Sequence, residues 1–462
     1  MLVSLIRPFP GLRPAPDRAA EVAAPPYDVL STEEARERAS GKRWSFLHIS
    51  KPEIDFAQGT DPYSPAVYDK AGKNLRDMIA QGILIRDDQP NLYVYRLAAG
   101  GFVQTGIVAA ASVAEYDSNR IRKHELTRPD KEDDRVRQID ALDAQTGPVL
   151  LAYPEAADVD AILAGVAEGE PDSDFIAEDG VHHSIWVVRD GDTIHRLVSA
   201  FDAMPALYIA DGHHRSAAAS RVAATRSKNT AGHTGDEDYN YFLVVAFPQS
   251  EMRILPYNRV VRDINNLSSD EFLRRIGERF HIEKSINPVA PATAKTFGLY
   301  IEGNWYRLTI RPAFVRNDDP IARLDVSLLA DNLLAPILGI TDQRRDKRIE
   351  FIGGVRGLTA LQQLVDSSAM AFAVSMHATK MTDMMSVADA NEVMPPKSTW
   401  FEPKLADGLV SHQLDRTGPV GMRERSERRN FPVPTSGNRF SADSTTTVLR
   451  MANIPSSQLL NA

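Results

Sequence analysis

The segment Tyr208-Ile209-Ala210-Asp211-Gly212-His213-His214-Arg215-Ser216 gathers an acid, two imidazoles, a guanidinium and a hydroxyl within a few residues. The apolar run at 206–210 predicts a strand, Asp-Gly a tight turn, and the alanine-rich residues 216–225 a helix. A helix starting there carries about half a positive charge at its N-terminus and turns free backbone N–H groups toward an anion. Arg215 adds a planar fork suited to phosphate oxygens, with His213 and Ser216 beside it. Asp211 is placed to hold a metal ion or orient a histidine, and it and His214 are catalytic candidates. Positive donors plus a carboxylate for magnesium are what phosphoryl transfer requires. The plainer alternative is a turn with two surface histidines. A zinc site is weaker on this segment alone, since adjacent histidines diverge on a helix and a ligand is missing.

Two further segments could join this chemistry. Arg122-Lys123-His124-Glu125-Leu126-Thr127, followed by Lys131, Asp133, Asp134 and Arg135, reads either as a solvated charged face or as a carboxylate among bases. In the second case the positive surround is expected to lower the Glu125 pKa from its reference of about 4.3, keeping it ionised as an acceptor for a hydroxyl proton. Val393-Met394-Pro395-Pro396-Lys397-Ser398-Thr399 has a stiffened approach to a lysine and two hydroxyls, a group that can meet phosphate, although it lacks the glycines of a Walker A loop. Arg259, in Leu255-Pro256-Tyr257-Asn258-Arg259, is another candidate anion donor. Pro25-Pro26-Tyr27-Asp28-Val29 is a stiff turn that could wall a pocket.

The elements that must position these groups are mixed. Helical spacing is expected at 67–80, around 159–166, near 270–280, 327–338 and 358–365; strands are expected at 92–97, 148–153, 185–188 and 241–247, with a pair near 297–310. Residues 167–180 read as an acidic loop. The resulting expectation is an α+β fold with a region at 1–150 carrying the His-Glu motif, a core at 151–262, a C-terminal α+β domain at 263–415, and a disordered tail at 416–462. The chain has 462 residues, 43% hydrophobic and 25% charged, ample for several cores. It has no cysteine, which excludes thiolate chemistry and disulfides. A net charge of -9 argues against a nucleic-acid partner. The absence of an export signal or an apolar span of roughly 20 residues predicts a cytoplasmic protein with no membrane partner.

In their fixed order the five quoted motifs resemble the family called domain of unknown function 1015. The His-Glu, Asp-Gly-His-His-Arg and Pro-Lys-Ser-Thr motifs are also similar to those of the free-serine kinases, which have a ParB/sulfiredoxin-like fold. That resemblance implies a mixed α/β core, ATP or ADP as phosphoryl donor, magnesium, and free L-serine as acceptor. It assigns Glu125 as the base, Asp211 as the acid of the second motif, His213, His214 and Arg215 to the transferred phosphate, and Lys397, Ser398 and Thr399 to phosphate binding. Two other readings are a ParB-like nucleotide-binding regulator without kinase activity and a metal-dependent hydrolase built on the histidines.

Overall fold

The computed structural model describes residues 4–414; the tail expectation for 416–462 lies outside them. The architecture is mixed α+β. One sheet runs in the order Ile121–Arg122, Leu207–Asp211, Val149–Tyr153, Tyr241–Pro248, Phe102–Ser112, Leu92–Ala99, His182–Val188, Ser173–Ile176, with Ile6–Arg7 also paired to Phe102–Ser112. Two of its pairings are parallel, Leu207–Asp211 with Ile121–Arg122 and Tyr241–Pro248 with Val149–Tyr153. Residues of Val149–Tyr153 and Tyr241–Pro248 are all buried. Such continuous apolar runs follow from a sheet covered on both faces.

The strand period of two divides the side chains between those faces. Phe242, Val244 and Ala246 join a core under the helices Ala157–Val166, Gly191–Asp202 and His213–Asn229, to which Leu163, Phe201 and Val222 contribute. Leu243, Val245 and Phe247 face the other way, onto Met381, Met384, Phe401, Leu405 and Leu409. The sequence near the C-terminal end of the described chain therefore covers the first sheet.

The second sheet is antiparallel throughout, in the order Phe280–Ser285, Asn304–Ile310, Thr296–Ile301, Phe372–Met376, Tyr257–Val261, Ile349–Gly353. The chain leaves the first sheet through Arg253–Leu255 and returns through Trp400–Glu402, and these two strands pair with each other. Helix Met381–Asp389 serves both cores, Met384 packing with the first sheet and Val387 with the second. A third cluster, from helices Thr32–Ala39, Leu47–Ser50 and Pro65–Ala80, covers the N-terminal side and takes in Leu142 and Ala144.

The segments 1–150 and 151–262 share one sheet, and residue 150 lies inside Val149–Tyr153. Strand pairing across that position joins them. Residues 167–180 contain the edge strand Ser173–Ile176, whose residues alternate between half-buried and exposed. No described helix is long and apolar enough to cross a membrane.

Candidate active site

The Asp-Gly turn is built as its residue types demand. Strand Leu207–Asp211 meets the 17-residue helix His213–Asn229 at Gly212, whose φ of 96° lies in the left-handed region. A Cβ at Gly212 would lie 3.3 Å from Val149 Cα and from the Arg215 guanidinium. Asp211 Oδ1 accepts from the Gly212 N–H at 2.8 Å, and Oδ2 pairs with Lys404 Nζ at 3.2 Å. Burial alone would raise the Asp211 pKa, but Lys404 and Arg215 outweigh it and hold the carboxyl below the usual range.

His213 is buried, and the His124 backbone N–H donates to its Nε2 at 3.4 Å. Its Nδ1 lies 3.8 Å from Glu125 Oε2, and the two imidazoles of His124 and His213 meet edge to face at 4.5 Å. Burial lowers the pKa of both, His124 to about 4, so both are neutral at neutral pH. His214 is half-buried and accepts from the Arg128 N–H at 3.1 Å. Glu125 keeps 58% of its side chain accessible because it stands in an open cleft. The cleft walls still remove enough water to raise its pKa, rather than lower it as the basic neighbours in sequence predict; Lys397 opposes the rise and Asp211 adds to it.

Arg215 is 12% accessible and tied to the wall: one guanidinium nitrogen donates to the Pro148 carbonyl and another pairs with Asp28 at 3.4 Å. Its Nε has no hydrogen-bond partner among the described residues. Asp407, wholly buried nearby, is pushed up to about 7 by burial, against the pull of Arg215 and with Asp28 adding to the rise.

The third motif reaches the same cleft from the other side. Lys397 has a φ of 55°, uncommon for a residue with a Cβ, and its ammonium lies 5.7 Å from the centre of the Tyr257 ring. Arg259 fixes that backbone: its guanidinium donates to the carbonyls of Lys397, at 3.1 Å, and Tyr257. Arg259 is 1% exposed, and burial lowers its pKa to about 10. It stands behind the cleft and shapes the loop that carries Lys397. Ser216 is likewise outside the cavity, donating to the His213 carbonyl at 3.0 Å. Ser398 donates to the Pro395 carbonyl at 2.6 Å, which tightens the turn. Thr399 lines the cavity.

The cleft has a volume of about 1390 Å³ and brings together Glu125, Asp211, His213, His214, Arg215 and Lys397. Tyr27 and Asp28 of the Pro-Pro-Tyr-Asp turn form part of its wall. Lys404 is a site residue that the motifs do not announce; it lies beyond the Pro-Lys-Ser-Thr segment and carries no local signal of its pairing with Asp211. Among the described residues, one set of three metal-type donors comes together, His124, Glu125 and His213. Asp211 lies outside that set.

Fold and site thus define an α+β protein with two main sheets and a mixed-charge cleft where three distant motifs meet. The chain belongs to the family of proteins of unknown function called DUF1015, whose model matches residues 6–327. Among solved structures it is similar to free serine kinase in complex with AMP, at 10% identity over 64% of this chain and 86% of the other, with a TM-score of 0.31. It is also similar to a conserved hypothetical protein from Pyrococcus furiosus, at 12% identity over 65% of this chain and 94% of the other, with a TM-score of 0.30. No curated protein matches the chain in sequence.

Proposed function

We propose that the cleft catalyses phosphoryl transfer from ATP or ADP to the hydroxyl of a small acceptor, with free L-serine the first candidate. The observation that carries this reading is the meeting of the three motifs in one cavity, Glu125 beside the first residue of helix His213–Asn229 and Arg215 and Lys397 lining the same space. The ordered motifs' resemblance to those of free-serine kinases supports serine as the acceptor.

The acceptor oxygen attacks the terminal phosphorus, its proton passes to Glu125, and the bond from phosphorus to the nucleotide's bridging oxygen breaks. The raised pKa of Glu125 makes it a stronger base than a solvated carboxylate. The N–H groups at the start of helix His213–Asn229, with His214 and Lys397, meet the phosphate oxygens. Arg215, packed against the Gly212 turn, adds positive charge at this place. Asp211, a single ionised carboxylate beside the phosphate position, is the residue that would hold magnesium, and the ion would neutralise charge on the phosphates.

The test is incubation of the full chain with magnesium, a nucleotide panel and an amino-acid panel, products being read by mass spectrometry. O-phosphoserine formed only in the serine wells establishes the acceptor. Nucleotide binding without any phosphorylated product removes the kinase reading and favours a nucleotide-binding regulator.

A further inference from the structure

The motif Asp-Gly-His-His-Arg lacks a third metal ligand on its own, but the fold supplies two more donors from the His-Glu segment. Strand Ile121–Arg122 pairs with Leu207–Asp211 in parallel, so the residues following each strand emerge side by side. One ligand atom from each of His124, Glu125 and His213 then lies within 4.8 Å of the others.

We propose that His124, Glu125 and His213 bind a divalent transition-metal ion of the zinc class, with water completing its coordination. The inference goes beyond phosphotransfer and does not depend on it. Two imidazoles, which are borderline donors, with one carboxylate suit zinc or cobalt, whereas magnesium takes oxygen ligands. Three protein ligands and an open position are the usual plan of a catalytic zinc centre.

The second observation is the His124 ring. It is 2% exposed, and its Nδ1 has no hydrogen-bond partner among the described residues. Buried polar atoms are nearly always paired, so an imidazole nitrogen left without a partner beside two further donors is one that a ligand can satisfy. Glu125 Oε2 already faces His213 Nδ1 at 3.8 Å. Metal–ligand bonds of about 2.0–2.2 Å put donors in a tetrahedral site roughly 3.4 Å apart, so the set must close by an ångström or so. The 3.4 Å contact from the His124 N–H to His213 Nε2 is long for a hydrogen bond, and a metal at Nδ1 would displace it. With the ion bound, Glu125 is a ligand and no longer a free base, so loading competes with proton transfer to that carboxylate.

The test uses the full chain, freed of metal by a chelator and containing neither nucleotide nor acceptor. Zinc is titrated by calorimetry, alone and with magnesium in excess, and cobalt by visible absorption. The expected result is one equivalent of zinc, a cobalt spectrum typical of nitrogen and oxygen ligation, and no loss of zinc binding when magnesium is in excess. His213→Gln and Glu125→Gln should each weaken zinc binding by about a hundredfold or more, since even outer-shell changes cost about 10–100-fold. His281→Gln, at an exposed histidine, should leave it unchanged. Glu125 is accessible enough that its variant stays folded should His213→Gln fail to fold. No stoichiometric zinc in the parent chain, or zinc and cobalt binding that survives Glu125→Gln, overturns the proposal. Failure here leaves the nucleotide experiment intact, and the reverse holds as well.

Discussion

Replacing Glu125 by glutamine separates chemistry from folding. Glutamine keeps the shape and an acceptor oxygen but cannot take a proton. If Glu125 is the base, turnover should fall by about a hundredfold or more, which corresponds to about 2.7 kcal/mol of lost transition-state stabilisation. Nucleotide affinity should hold, because in the proposed geometry the carboxylate meets the hydroxyl and not the donor's phosphates. Stability should hold too. The ionised carboxylate is the form that the cleft disfavours, so its raised pKa opposes folding at neutral pH and glutamine removes that opposition. On that assignment the parent protein should lose activity as pH falls through the raised pKa of Glu125, a limb starting above the ordinary 4.5. The variant's residual activity should lack that limb. Turnover measured by coupled assay or mass spectrometry across pH, with calorimetry for nucleotide and thermal unfolding for stability, decides the matter. Near-normal turnover with every acceptor, or the same acid limb in both proteins, refutes the base assignment.

Gly212→Ala should cost about 1–2 kcal/mol for left-handed backbone and weaken nucleotide binding by displacing Arg215, since the new Cβ would lie 3.3 Å from that guanidinium; urea unfolding and calorimetry measure the two effects. Arg259→Lys keeps the charge but cannot span the Tyr257 and Lys397 carbonyls, so stability should fall by about 1–3 kcal/mol, the cost of an unpaired buried acceptor; an unchanged urea midpoint would show that the loop is held elsewhere. Asp407 has a folded pKa of about 7 against an ordinary 3.8. The parent should therefore lose a stability contribution as pH rises from about 4 to about 7, and Asp407→Asn should remove that loss. Thermal midpoints across pH give the difference curve, and a flat difference contradicts the raised pKa.

The local part of the site is legible in sequence because its signals are local. An apolar strand, a glycine at positive φ and an alanine-rich helix lie in one stretch, and the turn forms where 211–212 predicts it. The Gly100-Gly101 pair, both with positive φ, likewise joins Leu92–Ala99 to Phe102–Ser112 as a two-residue hairpin turn. What local pattern cannot carry is who meets whom. Arg259 looks like an anion donor until its partners, carbonyls more than 130 positions away in one case, are in place. Lys404 acquires its role only through Asp211. Residues 1–150 and 151–262 look separable because each holds several elements, yet both contribute strands to one sheet. Ser173–Ile176 escapes notice because a short edge strand with no fully buried residue leaves no apolar pattern.

Helix Met381–Asp389 bears on how the molecule comes apart. Met384 belongs to one core and Val387 to the other, while the Asp389 carboxylate accepts from the Tyr208 hydroxyl at the first sheet's edge. Neither sheet can shed this helix without exposing apolar surface that the other also relies on. The thermodynamic consequence is coupling: melting the helix withdraws support from both cores, so its loss is penalised on two sides at once. The cleft, lined by Asp211 from the first sheet and Phe351 from the second, therefore depends on both cores at once.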